Sequence, residues 1–455
     1  MVNMDKLDNI KKEVFLRRPV LQEIYNTYGQ QSLKDYVQKS WGIPQAVPDA
    51  LFLGILKNEL TSLYGQEVAG KVTSQINKKP LVSTIDHHGI WGHPIFVNSD
   101  LIYSLHFNAG EFALALSTES VSLNNTSSWS GSALYHESGD LKRHSFFTDK
   151  LKTLPVLSTS AISSKDIDRF TKIAGARFGD LIEALDFKNI ISESLPVATK
   201  QSFSHQASLL TFAFWQKVFP SAPKLLYVPL ESLILKYLLK IFESEDSFLS
   251  KIILTQEGRG LWQKYFFTEH TFMFWGIDAK GRRQILSKMP NNSDIIRLIK
   301  EKKIYPSSPL CFAALLSAGI ICAGGFTQTT WLTNTKEKLL MLLKDLGVVD
   351  AKIDAMQKIP TKNFAESSLA WLKIGQEYKT PSGVDLFFTG TDLYPKYLNL
   401  ASNLSLEQSI NLNIPTIYSV VVPKHEQMNG FNLEAEQKAV FDALNMADLL
   451  KDSGI

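Results

Sequence analysis

Apolar residues recur at helical spacing from the start of the chain, at Leu7, Ile10, Val14, Leu21, Ile24 and Tyr28, with Pro19 breaking or restarting the helix. Leu53, Leu56, Leu60 and Leu63 repeat the pattern behind Asp49, a residue suited to cap a helix. The first 78 residues therefore predict a helical lead-in. After Pro80 the period changes. The short apolar run Leu81 to Ile85 reads as a strand and ends abruptly in a polar loop from Asp86 to Pro94. Ile95 to Phe107 predicts a helix and Phe112 to Leu116 a second strand, which together make a strand-loop-helix-strand unit. Ser117 to Asp149, rich in Ser, Asn, Gly and Thr, is long for a plain connection and reads as a functional loop or as irregular structure over a site.

Helical patterns follow from Ser164 to Leu261. Phe272 to Trp275 and Arg283 to Leu286 flank Asp278-Ala279-Lys280-Gly281, a hairpin signal, and Asp294 to Lys303 predicts a short amphipathic helix. Pro309 to Phe326 is apolar enough to mimic a membrane span of about 18 residues. Ser317, Gly319, Gly324, Gly325 and the prolines Pro306 and Pro309 instead favour a helix and a buried strand meeting at a glycine loop. The last hundred residues predict short strands such as Ile417 to Val422 and a terminal helix from Leu433 to Leu450, and are the least expected to carry function.

The expected fold is α/β: a core sheet flanked by helices, with a helical N-terminal lead-in and helical insertions. Its expected parts are residues 1–78 (helical), 79–160 (first half of the core), 161–270 (mostly helical insertion), 271–350 (second half of the core) and 351–455 (mixed).

Composition narrows the class. Apolar residues make up 44% and charged residues 20% of 455, which excludes disordered, collagen-like and coiled-coil chains. A net charge of +3 disfavours a nucleic-acid partner. Cys311 and Cys322 fit neither a zinc knuckle nor a redox pair, and no secretory signal opens the chain, so a cytoplasmic location is expected.

Three of the nine histidines, His87, His88 and His93, fall in one loop beside Asp86, at a predicted strand end. Open α/β sheets bind ligands outside the carboxyl ends of their strands. Imidazole near neutral pH exchanges protons, ligates metals or meets anions. Gly89 and Gly92 allow close backbone approach, and Pro94 opens a helix whose free amides suit a phosphate or carboxylate. Each histidine alone serves equally well as a turn-forming residue; the group favours function. Thr84 and Asn98 flank the same loop. Asn124 and Asn125 follow the second strand and offer amides to a polar ligand or simply form a turn. Arg143-His144 can bring a cation over the crevice to an acidic substrate. Gly324-Gly325-Phe326-Thr327-Gln328 is again strand, glycine turn and helix, with Gln328 as a polar contact or the whole as a tight turn. Asp86-His87-His88 invites comparison with the phosphoesterases named for that triplet, but no Asp-x-Asp pair precedes it. Lys288-Met289 offers a weak likeness to the lysine loop of class I aminoacyl-tRNA synthetases.

Taken together, these residues resemble the bacterial cysteine-adding enzymes of bacillithiol biosynthesis. Thr84 to Phe96 lies without a gap over that family's Thr-Gly-Gln-Gln-x-Gly-Leu-Phe-x-Gly-Pro-x-Tyr loop, with Thr84, Gly89 and Pro94 matching outright. Tyr305-Pro306-Ser307-Ser308 through Trp331 is similar to the family's Pro-Asn segment, apolar strand and Gly-Gly-x-x-Glu-x-x-Tyr turn, with Gln328 in the place of Glu. Val228-Pro229-Leu230-Glu231 and Phe272 to Leu286 are similar in order and character, so the likeness covers roughly residues 80–345. It implies a Rossmann-like core. The family's Glu-Asp-His-Asp at the second strand end is here Glu119-Ser120-Val121-Ser122, while the first loop has gained Asp86, His87, His88 and His93.

The expected function is a ligase or transferase joining an acyl or aminoacyl group to an amine or thiol. In it His87 or His88 is the general base, Asp86 orients it, and His93 with the helix end steadies an anion. The expected substrate is small and polar or anionic, with ATP as a possible cosubstrate although no P-loop is present, no nucleic acid or membrane as partner, and a possible homo-oligomer. The alternatives are a metal-dependent hydrolase or lyase with Asp86, His87, His88 and His93 as ligands, and a non-catalytic binding protein on the same fold.

Overall fold

A computed structural model describes residues 4–41, 47–137, 139–168, 189–191, 202–243, 247–266, 272–286, 290–348 and 350–455. Lys288-Met289 and part of the helical pattern after Ser164 lie outside them. In chain order the strands are β1 Leu81–Ser83, β2 Phe112–Ser117, β3 Ser132–Glu137, β4 Asp140–Ser145, β5 Lys224–Pro229, β6 Phe274–Ile277, β7 Arg283–Gln284 and β8 Ile304–Pro306. They continue with β9 Ile321–Gly324, β10 Asn363–Phe364, β11 Leu372–Ile374 and β12 Glu377–Lys379.

A five-stranded sheet with order β10-β9-β1-β2-β5 is the centre of the fold, and every pairing in it is parallel. Its strands are short and buried along nearly their whole length, as parallel strands covered on both faces must be. Leu114, Leu226 and Ile321 are fully buried, each contributing about 1.5–3 kcal/mol through removal from water. Helices Ala50–Lys78, Pro94–Ser104, Phe203–Val218, Leu230–Ile241, Ser308–Ser317 and Phe326–Asp345 connect and flank the strands. The order reverses beside β1: β2 and β5 lie on one side of it, β9 and β10 on the other. A β3–β4 hairpin fills the long polar segment after β2, and β6, β7 and β8 form a separate antiparallel sheet.

The strand-loop-helix-strand unit stands as read, with β1 ending at Ser83 and the helix starting at Pro94. The apolar run from Pro309 to Phe326 is a helix to Ser317 and a strand from Ile321, turned at Gly319 with φ +73°; among the described residues no helix is long and apolar enough to cross a membrane. One expected strand is overturned. Ile417 to Val421 ends the helix Leu406–Val421, whose start is fixed by the Ser405/Gln408 capping box and whose buried Ile410, Ile414 and Ile417 keep helical spacing. The terminal helix breaks at Asn445, which has φ +51°, into Leu433–Ala443 and Met446–Asp452. The N-terminal helix Met4–Arg17 packs on these last helices, with Lys6 paired to Glu436 and Arg17 to Glu426 at 2.7 Å.

Candidate functional site

The loop after β1 continues the sheet before it turns. Thr118 N donates to the Asp86 carbonyl at 2.8 Å and His88 N to the Thr118 carbonyl at 2.7 Å, which holds residues 86–88 beside the end of β2. Thr84 lies against β9, its amide donating to the Ala323 carbonyl at 3.0 Å. The loop is therefore at the carboxyl edge of the sheet, where strand order reverses, the general place of the ligand crevice in open α/β sheets.

Asp86 is fully buried, and its carboxyl interacts with that of Asp100, on the helix Pro94–Ser104. Asp100 Oδ2 accepts from Tyr227 Oη at 2.9 Å and from Trp91 Nε1 at 3.0 Å; Ser83 Oγ reaches Asp86 Oδ2 at 3.4 Å. Among the described residues neither Asp86 Oδ1 nor Asp100 Oδ1 has a hydrogen-bond partner, and the Tyr227 hydroxyl also lies against the Asp86 carboxyl. Burial, and for Asp100 the neighbouring Asp86, pushes both carboxyls well above the usual range.

The three histidines take different parts. His88 is a pillar: Ser204 O lies 2.7 Å from Nε2 and Ser117 Oγ 2.5 Å from Nδ1, so the ring donates through Nε2 and accepts through Nδ1. Burial lowers it to about 4. With both nitrogens engaged inside the protein, the role of general base assigned to His88 from sequence does not fit. His93 caps the helix that follows, its Nδ1 accepting from Ile95 N at 3.3 Å. His87 alone keeps a buried Nδ1 without a partner, its ring edge-on to Phe96 at 5.5 Å; burial holds it down to about 4, neutral near pH 7.

The glycines serve close packing within the chain. A Cβ on Gly89 would meet the Ser130 backbone at 2.5 Å, and Ile90 N donates to the Ser130 carbonyl, so the space beside Gly89 belongs to the segment before β3. At the β9 turn, a Cβ on Gly325 would lie 2.0 Å from Oε2 of Glu366, which accepts from Phe326 N at 3.1 Å. The carboxyl following β10 thus occupies the anion position at the start of the helix Phe326–Asp345 that the sequence left to a ligand. Gln328 is also committed: its amide donates to the Thr84 carbonyl, and Oε1 accepts from Gly325 N at 3.4 Å. It ties β1 to β9 and is not free to meet a substrate. Asn98 likewise docks the C-terminal segment, accepting from Leu369 N at 2.6 Å and Ala370 N at 2.7 Å.

Asp86, His87, His93, Thr84, Gly324, Gly325 and Gln328 therefore meet at the β1/β9 edge. Asn124, Asn125, Arg143 and His144 are placed elsewhere: Asn125 Oδ1 accepts from Ser127 N at 3.0 Å in a turn, and Asn124 N donates to Lys152 O. Arg143 is exposed on β4 with its guanidinium 3.8 Å from the Trp129 ring centre. His144 pairs in register with Ala133. No group of three or more His, Cys, Asp and Glu among the described residues has the disposition of a metal site, so Asp86, His87, His88 and His93 do not form the ligand set considered from sequence.

Sequence reasoning missed Asp100, Tyr227 and Glu366. Burial pushes the Glu366 carboxyl up to about 8, Phe326 N opposes this, and Asp86 adds to it. Glu366 also borders a cavity of about 120 Å³ between the start of the helix Pro94–Ser104 and the C-terminal helices. A second buried carboxyl pair, Glu119 and Glu231, lies at the ends of β2 and β5. Glu231 accepts from the amides of Glu119 at 2.8 Å and Ser120 at 3.3 Å, and Glu119 from the Ser232 amide at 2.8 Å and the Ser204 hydroxyl at 2.8 Å. Ser117 pairs with Pro229 in register, so the two glutamates stand at equivalent positions and lock the strand ends together. Neither the family models nor the curated proteins searched contain a match to this chain.

Proposed function

We propose that the chain is a small-molecule enzyme of the ligase or acyl/aminoacyl-transferase class on a Rossmann-like core, with its reacting groups at the β1/β9 edge. Counted in chain order, the parallel strands run third, second, first, fourth, fifth across the sheet, which supports the Rossmann-like reading. The likeness of residues 84–96 and 305–331 to the cysteine-adding enzymes points the same way. The observation that carries the proposal is the fully buried Asp86–Asp100 carboxyl pair, Asp86 pushed up by burial to about 7 and Asp100 well above its usual range, placed where strand order reverses.

In this reading an amine or thiol attacks an acyl carbon, the new bond forms as the leaving group departs, and the nucleophile's proton passes to the Asp86 carboxylate. A carboxyl raised toward neutrality suits that transfer better than an imidazole near 4, so the orienting and proton-accepting roles are exchanged relative to the sequence reading. His87 contributes a neutral acceptor, Tyr227 and Trp91 hold Asp100, and His93 fixes the helix start. If the acyl group arrives as a free carboxylate, a nucleotide is the activating cosubstrate.

The test is turnover of ATP, or of acyl thioesters, by full-length protein supplied with amino acids and amine or thiol acceptors. Consumption that requires both donor and acceptor, and that falls about 10²-fold or more in Asp86→Asn, is expected. Consumption of neither donor with any acceptor, by protein that unfolds cooperatively, overturns the reading.

A further inference from the structure

The C-terminal segment lies outside the stretch that carries the family likeness, yet one turn of it reaches the loop after β1. The helix Gly383–Phe387 opens on the Ser382/Asp385 capping box and lays its first residue on that loop, Gly383 N donating to the Gly92 carbonyl at 2.9 Å. Asp385 ties the same turn to the β3–β4 hairpin, accepting from His136 N at 2.8 Å. The backbone of Gly383 is helical, so space and not φ excludes a side chain there. A Cβ would come within 2.7 Å of Cε3 and Cζ3 of Trp91 and within 2.9 Å of Gly92 Cα.

Trp91 has little room to give way. It is buried, and Trp215 and Phe219 stand edge-on to its ring, with ring centres 5.5 and 6.3 Å away. From that seat its Nε1 donates to Asp100 Oδ2 at 3.0 Å, beside the Tyr227 hydroxyl at 2.9 Å. Cε3 and Cζ3 lie on the benzene edge of the indole and Nε1 on its pyrrole edge, so one rigid ring system connects Gly383 with Asp100. A methyl group on Gly383 would turn that ring in its slot and take the N–H off the carboxyl.

We infer that Gly383 is a positioning residue for the Asp86–Asp100 pair: bare of a side chain, it seats the Trp91 indole with Nε1 on Asp100, and so lets the C-terminal segment set how firmly the pair holds its proton. A donor on a carboxyl favours the ionised form, so removing one leaves the pair protonated to higher pH. The other groups that act on the pair are Ser83 from β1, Tyr227 from β5, Tyr103 from the helix that carries Asp100, and Glu366 from the segment after β10, with no lysine or arginine among them. His87, His88 and His93 on the loop are lowered to about 4 by burial and keep one charge state through neutral pH. As a part of the reaction this role rests on the acyl-transfer reading of the pair; the coupling itself does not.

The test is a pH titration of the pair in full-length protein carrying aspartate labelled with carbon-13 at the side-chain carboxyl, followed by NMR, with Asp86→Asn and Asp100→Asn to assign the two signals. In the wild type the pair should change protonation close to neutral pH. Trp91→Phe keeps a ring in the seat but removes the N–H, and should raise that midpoint by about one pH unit. Gly383→Ala should raise it by a similar amount, and the double variant no further. Mere loosening of the packing would admit water and move the midpoint the other way, down toward the ordinary aspartate value. A midpoint unmoved or lowered by Gly383→Ala, or shifts that add in the double variant, overturns the inference. Should Gly383→Ala alone not fold, the smaller ring of Trp91→Phe should restore its folding, and failure to do so overturns the contact on which the inference rests. A raised midpoint in protein that turns nothing over keeps this coupling and removes the function proposed above; turnover whose pH profile ignores Gly383→Ala does the reverse.

Discussion

His88→Phe separates a supporting histidine from a catalytic one. In the wild type the ring is fully buried, donating to the Ser204 carbonyl and accepting from the Ser117 hydroxyl. Phenylalanine keeps the aromatic volume and removes both bonds. The Ser204 carbonyl retains Ser208 Oγ at 3.3 Å, but the Ser117 hydroxyl loses its acceptor, so a loss of about 2–4 kcal/mol is expected at pH 8. Acid then changes the comparison. The unfolded imidazole takes up a proton near 6.5, whereas the folded one does so only near 4. Between these values the unfolded state binds more protons, so stability falls as pH falls, by about 2–3 kcal/mol at pH 4.5 from this residue. The phenylalanine variant lacks that loss. His87, His93 and the raised carboxyls titrate in both proteins and cancel in the difference. Urea unfolding followed by tryptophan fluorescence at pH 8 and 4.5 should show the gap between the two proteins shrinking by about 2–3 kcal/mol on acidification. A gap that stays constant would refute the buried neutral pillar.

Two further expectations follow from close contacts. Gly325→Ala places a methyl group against Glu366 Oε2 and should lower stability by about 1–3 kcal/mol, read as a fall in thermal midpoint; an unchanged midpoint would show that the carboxyl does not sit on that turn. Asp385 accepts from the His136 amide at 2.8 Å and lies 2.6 Å from its Nδ1, while also capping through Ser382, so Asp385→Ala should speed amide hydrogen exchange in β3, β4 and the helix Gly383–Phe387. Unaltered exchange there would show that this pair does not anchor the hairpin.

The first half of the core was legible because its signals are local. A proline, a short apolar run, a polar loop and a proline at the helix start mark β1 to the helix Pro94–Ser104 without knowledge of the rest. Ile417 to Val422 misled because a short apolar run fits a strand as well as a buried helix, and the deciding Ser405/Gln408 cap lies a dozen residues upstream. In the site, Asp86 and His87 stood out by clustering, but His88 showed its two partners only once Ser117 and Ser204 were brought to it by separate elements. Asp100 carried a readable signal, as the sole charge in a helix buried on all sides. Glu366 carried none. Its importance arises from β10 laying it against the β9 turn, a long-range pairing that no local pattern encodes.

That strand order also bears on how the protein is made. β2 and β5 can join β1 once residue 229 has left the ribosome, but the other edge of β1 has no neighbour until β9 emerges at residue 321. Throughout that interval the nascent chain carries an open, apolar strand edge, the kind of template on which chains join one another. The N-terminal helix waits longer still, since the surface it covers belongs to the helix Leu406–Val421. Synthesis from the amino end builds this sheet on one side of β1 first and closes its second edge only when β9 arrives.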